Sequence, residues 1–208
     1  MGFLPLRVIS WAAACIGASK VLNHSSAFLI TTANLRLVFP GLEKKAIKEL
    51  AISSIKETLK TVFEMGFVWS FLPRKDLSKY VSAQGFEKIK KSLDYNKGLI
   101  LFAPHLSNIE IILNYMGRQV PSMALYTPSK NKHIDKVMLS ARTRMGVTMV
   151  EPNLSGIKSI LENLNKGGVV IIASDQVPKL EGGMLSNFFL IPALTMTLVS
   201  KLKMKSKA

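Results

Sequence analysis

The chain has 208 residues, 48% of them hydrophobic, with a mean hydropathy of +0.25. That length can bury a real core, and that composition excludes a disordered tail. With 28 basic residues against 13 acidic ones the net charge is +15, which asks for an anionic partner: nucleic acid, a membrane face, or acidic proteins and phosphorylated substrates. The cations are mostly lysine, and no zinc-finger, basic-zipper or RNA-platform signature is present. High hydrophobicity with excess lysine therefore favours an anionic membrane surface and argues against nucleic acid. The one cysteine, Cys15, excludes an internal disulfide framework, and no two histidines stand at metal-ligand spacing, so no metal site is expected.

From Phe3 to Ala18 the chain is mostly apolar but broken by Pro5 and Arg7, short of the roughly 20 apolar residues that span a bilayer. Residues 1–24 are expected to form a membrane-associated helix, either a short anchor or an interfacial segment extended through Lys20 and Val21. A helix packed on the domain, or an exported leader ending near Ala12-Ala13-Ala14-Cys15, stays open as an alternative. Asn34-Leu-Arg-Leu-Val-Phe-Pro40 is a short apolar run stopped by the turn signal Pro40-Gly41. Between Glu43 and Leu72, Ile47, Leu50, Ala51, Ile55, Leu59, Val62 and Phe63 recur at helical steps. Lys44, Lys45, Lys48, Lys56 and Lys60 lie largely outside that stripe, and Gly66 or Pro73 should end or bend the helix.

Beyond Gly85, helices alternate with short apolar strands. Helices are expected over 86–93, 108–116, 134–145 and 155–165, and strands over 98–103, 120–126, 147–150 and 169–173, the last clear strand. Apolar strands without alternation, separated by helices, imply an α/β fold with a mostly parallel central sheet flanked by helices. The expected organisation is residues 1–24, a domain over 25–200 and a basic tail over 201–208.

Sites in such sheets lie at the carboxyl ends of strands, and His105 and Asp175 both fall there. A histidine with a carboxylate five residues on, Glu110, suits acyl transfer: the imidazole takes a proton from an acceptor hydroxyl and the carboxylate supports it. Ser107 to Glu110 also reads as a capping box, with Ser107 at N-cap and Glu110 at N3. The positive end of that helix would disfavour an imidazolium nearby, and its free N–H groups could hold a developing oxyanion.

These residues resemble those of the lipid A biosynthesis acyltransferases, the lauroyl and myristoyl transferases of Gram-negative inner membranes. The similarity runs from Asn34 to about Leu198. It takes in Asn34–Pro40, Gly85-Phe86-Glu87, the His-x4-Glu element His105–Glu110, and Tyr126-Thr-Pro128 followed by Asn131, Asp135, Arg142, Arg144 and Gly146. It ends in Asp175-Gln176, Gly182-Gly183, Phe188-Phe189, Pro192 and Thr195. The resemblance implies transfer of a fatty acyl group from acyl carrier protein to a hydroxyl of a Kdo-bearing, phosphorylated lipid A precursor, at the cytoplasmic face of the bacterial inner membrane. It makes His105 the general base and Glu110 its partner. Arg142 or Arg144 would contact phosphate or support the acid, with a solvated helix face as the alternative. Asp175 and Gln176 would position substrate or structure. Phe188 and Phe189 would shape an acyl or lipid pocket, with plain core packing as the alternative. No cofactor is implied, because the thioester carries the activation.

Some positions depart from the family pattern. Thr127 replaces the usual Arg, with Lys130 as a nearby cation; Ser107 and Ile109 replace Gly and Trp; Leu190 stands where Gly often follows the paired Phe. After Ser200 the chain closes with Lys201–Ala208 where the family continues, so the chain is expected to be short at its C-terminus. A truncated, non-catalytic membrane-bound remnant that binds lipid or acyl carrier protein is the alternative that follows. A glycerolipid acyltransferase, which shares His-x4-Asp, is the second alternative, and Asp175-Gln176 argues against it.

Overall fold

In a computed structural model, the structure describes Val8 and residues 25–208. The expected membrane-associated helix over 1–24, with Cys15 and His24, lies outside the described stretch. The chain divides into two compact units, one comprising residues up to Phe67 with Ser186–Ala193, the other Val68–Leu185 with Leu194–Ala208.

The first unit is mostly helical. Helix α1 (Ser26–Val38) starts at Ser25, whose side chain accepts the Phe28 N–H, so the Asn34–Pro40 run closes a helix. Helix α2 spans Lys44–Ser70 without a break at Gly66; Pro73 follows in a single 3-10 turn, Leu72–Arg74. Its buried stripe is Ile47, Ala51 and Ile55, one residue per turn, and Phe28 of α1 packs with the last two. Leu50 and Val62, which share the helical period, are exposed, as are Lys44, Lys45 and Lys48. Among the described residues no helix is long and apolar enough to cross a membrane.

The second unit is built on a four-stranded parallel sheet. Helix α3 (Phe86–Asp94) leads into β1 (Leu99–Phe102), followed by α4 (Ile109–Gln119), β2 (Ser122–Leu125), α5 (Lys132–Arg144), β3 (Val147–Val150), α6 (Leu154–Asn165) and β4 (Val169–Ile172). The spatial order is β1-β4-β2-β3, with Leu99 opposite Val169 and Ser122 opposite both Val147 and Val169. Every residue of the central β4 is buried, because both sheet faces are covered. Val169 and Ile171 face Leu113 and Met116 of α4, while Val170 and Ile172 face Ile160 and Leu164 of α6. The connection from β1 to β2 and the one from β3 back to β4 run in opposite directions. Right-handed crossovers then put α4 and α6 on opposite faces, as observed.

Helix ends follow local chemistry. Asn153 caps α6, its Oδ1 accepting the Gly156 N–H at 2.9 Å. Gly167 closes it at φ 82, a left-handed conformation that favours glycine.

Two elements were not expected. Strands β5 (Gly183–Phe188) and β6 (Ile191–Met196) form a two-stranded hairpin after β4. The basic stretch from Lys201 largely continues helix α7 (Leu198–Lys205), and Leu202, 2% exposed, joins the β4–α6 core. Leu202 is the one buried residue of that helix; Met204 is exposed, and the lysine ammonium groups stay in water.

Candidate active site

Strand β1 gives way to the site in a few residues. The Ala103 N–H still bonds the Ile172 carbonyl at 3.0 Å, extending the ladder with β4, and then Pro104 removes the next donor. A tight turn, Leu106 N–H to Pro104 O at 2.8 Å, carries the chain across to Asn108, which caps α4 through a bond from the Glu110 N–H at 3.2 Å. The capping box does not form. The helix begins one residue later than Ser107 would place it, and Asn108, buried beneath the loop, supplies the acceptor.

Because β1 and β4 are neighbours, His105 and Asp175 meet across 70 positions of sequence. Asp175 grips His105 twice: Oδ2 accepts the His105 backbone N–H at 2.7 Å and Oδ1 lies 2.9 Å from ring Nδ1. A carboxylate only accepts, so Nδ1 carries the proton and the lone pair of the neutral ring sits on Nε2. Burial pushes the Asp175 carboxyl up, but the backbone and ring hydrogen bonds from His105 and its charge outweigh that and hold the pKa below its ordinary value. Both side chains stay accessible, His105 41% and Asp175 36% exposed.

Glu110 does not partner His105 in this structure. Its carboxylate is 2% exposed and is forked by Arg142 of α5, with Nε to Oε2 at 3.1 Å and Nη2 to Oε1 at 2.5 Å. The Arg142 side chain in that contact is itself 12% exposed. Such a buried two-point pair orients both helices. Removing one partner strands the other's charge, at about 3–5 kcal/mol. One turn on from Glu110, Asn114 is fully buried too, and neither its Oδ1 nor its Nδ2 has a hydrogen-bond partner among the described residues.

The remaining expected residues are dispersed. Arg144 is engaged elsewhere, bonding Ser140 Oγ at 2.6 Å and the Trp69 carbonyl at 3.3 Å. Gln176 is exposed beside Asp175. Phe188 and Phe189 sit at the end of the hairpin and are exposed, which excludes core packing for them. Tyr126, following β2, belongs to the same strand-end edge as Asp175. Burial and then the carboxylates of Asp135 and Glu151 raise its pKa. Its family block signalled it, but no chemistry was attached to it from sequence.

An apolar cleft of about 250 Å³ opens between α3 and α4, lined by Phe86, Ile89, Ile111, Ile112, Tyr115 and Met116 among others. Tyr115 stands edge-on to Phe86, ring centroids 5.7 Å apart. The cleft begins one residue after Glu110 on the same helix. Among the described residues no three His, Cys, Asp or Glu side chains cluster as metal ligands do.

A family model described as bacterial lipid A biosynthesis acyltransferase matches residues 1–208. The chain is 25% identical over 194 residues to a lipid A biosynthesis palmitoleoyltransferase of Escherichia coli (strain K12), a match covering 93% of this chain and 62% of that relative. A lipid A biosynthesis acyltransferase of Shigella flexneri is similar to the same extent. The chain thus spans 62% of the length of these curated relatives.

Proposed function

The chain belongs to the bacterial lipid A biosynthesis acyltransferase family, and on that premise we propose that it moves a fatty acyl group from the thioester of acyl carrier protein to a hydroxyl of a phosphorylated, Kdo-bearing lipid A precursor. The observation that carries this reading is the two-point grip of Asp175 on His105 at the open end of the sheet. With Nδ1 held as a donor, Nε2 is the one ring position able to take a proton. The acceptor hydroxyl gives that proton to Nε2 as its oxygen attacks the thioester carbonyl. The tetrahedral oxyanion collapses, the C–S bond breaks, and the imidazolium returns the proton to the departing thiolate. Asp175 stabilises the imidazolium in between and keeps the ring from turning.

In this reading Glu110 and Arg142 hold the first turn of α4 in place, and with it the loop that carries His105. The α4 N-terminus then presents backbone N–H groups toward that loop for the oxyanion. The cleft beginning at Ile111 receives the acyl chain, its apolar lining matching a hydrocarbon tail. The net charge of +15 suits an acidic carrier protein, a phosphorylated acceptor and an anionic inner leaflet, and so supports a reaction at the cytoplasmic face of the inner membrane.

The test is transfer from acyl-loaded carrier protein to a tetra-acylated Kdo-lipid acceptor, with purified chain and a His105→Ala control. Product that depends on His105 is expected. Equal product with and without His105, or none from the folded chain, overturns the reading.

A further inference from the structure

The turn between β5 and β6 places bulky apolar residues where a hairpin in water favours small polar ones. A two-residue hairpin loop with φ positive at both positions strongly prefers Asn-Gly or Asp-Gly. Here the loop is Phe189 (φ 49) and Leu190 (φ 67), a left-handed conformation that such side chains rarely adopt. The fold does not bury them in exchange: Phe188 is 64%, Phe189 55% and Leu190 93% exposed. Phe188 and Phe189 stack edge-on at 4.7 Å, and Phe189 tilts against Phe39 at 6.4 Å, which joins the turn to the end of α1.

The same unit carries a second apolar surface. Helix α1 turns Phe28 and Leu35 inward, yet Leu29, Ile30 and Leu37 on its opposite face are also exposed, and exposed Phe39 and Leu42 continue the surface past its end. A helix apolar on both faces is one whose outer face has a further apolar neighbour. Exposed cations border this stretch, Arg36, Lys44, Lys45 and Lys48, against the acids Glu43 and Glu49.

We propose that the α1 outer face and the β5–β6 turn form an interfacial docking surface for an anionic lipid bilayer, with Phe189 and Leu190 as the inserting tip. An exposed apolar turn in a unit that carries exposed cations needs no shaped pocket. It enters the acyl region of a leaflet while the cations meet its headgroups, and the exposure that is costly in water is relieved there. The inference does not depend on acyl transfer, and its readout is lipid binding alone.

The experiment compares the full chain with a Phe189→Asn/Leu190→Gly double variant, which installs the preferred turn and so should melt at the same temperature or higher. Partition onto vesicles of roughly three parts phosphatidylcholine to one part phosphatidylglycerol should fall about a hundredfold in the double variant. A His105→Ala variant should partition like the unmodified chain, so failure of the catalytic reading leaves this one standing. In a Cys15→Ser background, an environment-sensitive dye on Leu190→Cys should shift to the blue on vesicles, while the same dye on Ser53→Cys should not. Equal partition of double variant and unmodified chain overturns the proposal. So does a variant that loses self-association instead of vesicle binding, since the surface is then a contact between copies.

Discussion

Two polar pairs of opposite character lie at the start of α4 and in the loop before it. Glu110 and Arg142 are packed away from water and forked, whereas His105 and Asp175 are more than a third exposed and leave one ring nitrogen open. The first is closed to solvent. The second is open to a molecule that arrives from outside. The contrast teaches that two residues five apart in sequence take their hydrogen-bond partners from different elements, His105 from the loop after β4 and Glu110 from α5.

Substitutions can break that contrast. The largest effect should come from His105→Ala, which removes the proposed base: transfer should fall by about 10³–10⁴-fold while the melting temperature barely moves, read by acyl-transfer assay beside calorimetry. Next, Glu110→Ala or Arg142→Ala should cost about 3–5 kcal/mol in urea unfolding, because a lone charge is left buried. A Glu110→Leu/Arg142→Met double variant should recover most of that loss, and a double variant as unstable as the singles would contradict a mainly structural pair. Transfer by that folded double variant then separates any chemical part of Glu110 from its part in the fold.

Asp175→Asn should lower kcat by about 10²–10³-fold with little change in KM, since the amide can donate to Nδ1 and favour the tautomer whose Nε2 already bears the proton. Unfolding free energy should move by less than about 1 kcal/mol, as expected of an exposed pair. The smallest effect is in pH. A carboxyl whose pKa is lowered by folding stabilises the native state above its unfolded value, and that contribution disappears as pH falls through the folded value. The stability difference between the native chain and Asp175→Asn should therefore shrink steadily below about pH 4, as the carboxylate is protonated. A difference that kept growing below that range would contradict the grip on His105.

The parallel strands were legible before the fold was seen because they are short apolar runs buried on both faces; Val147–Val150 falls where expected and the others within two residues. The hairpin was not, because much of β5 faces solvent and its turn breaks the usual residue preference. The cap of α4 was misread because Ser107 and Asn108 are both good caps one residue apart, and only the backbone path out of Pro104 selects Asn108.

By itself the sequence determined the α/β class, the strand-end position of His105 and Asp175 and the family, since these rest on local periodicity and on ordered motifs. Tertiary structure alone decided who partners whom. Strand order puts β4 beside β1 and so delivers Asp175 to His105, and the packing of α5 on α4 delivers Arg142 to Glu110. Contacts made across 70 and 32 positions depend on how elements are arranged in space, and no local pattern encodes that arrangement.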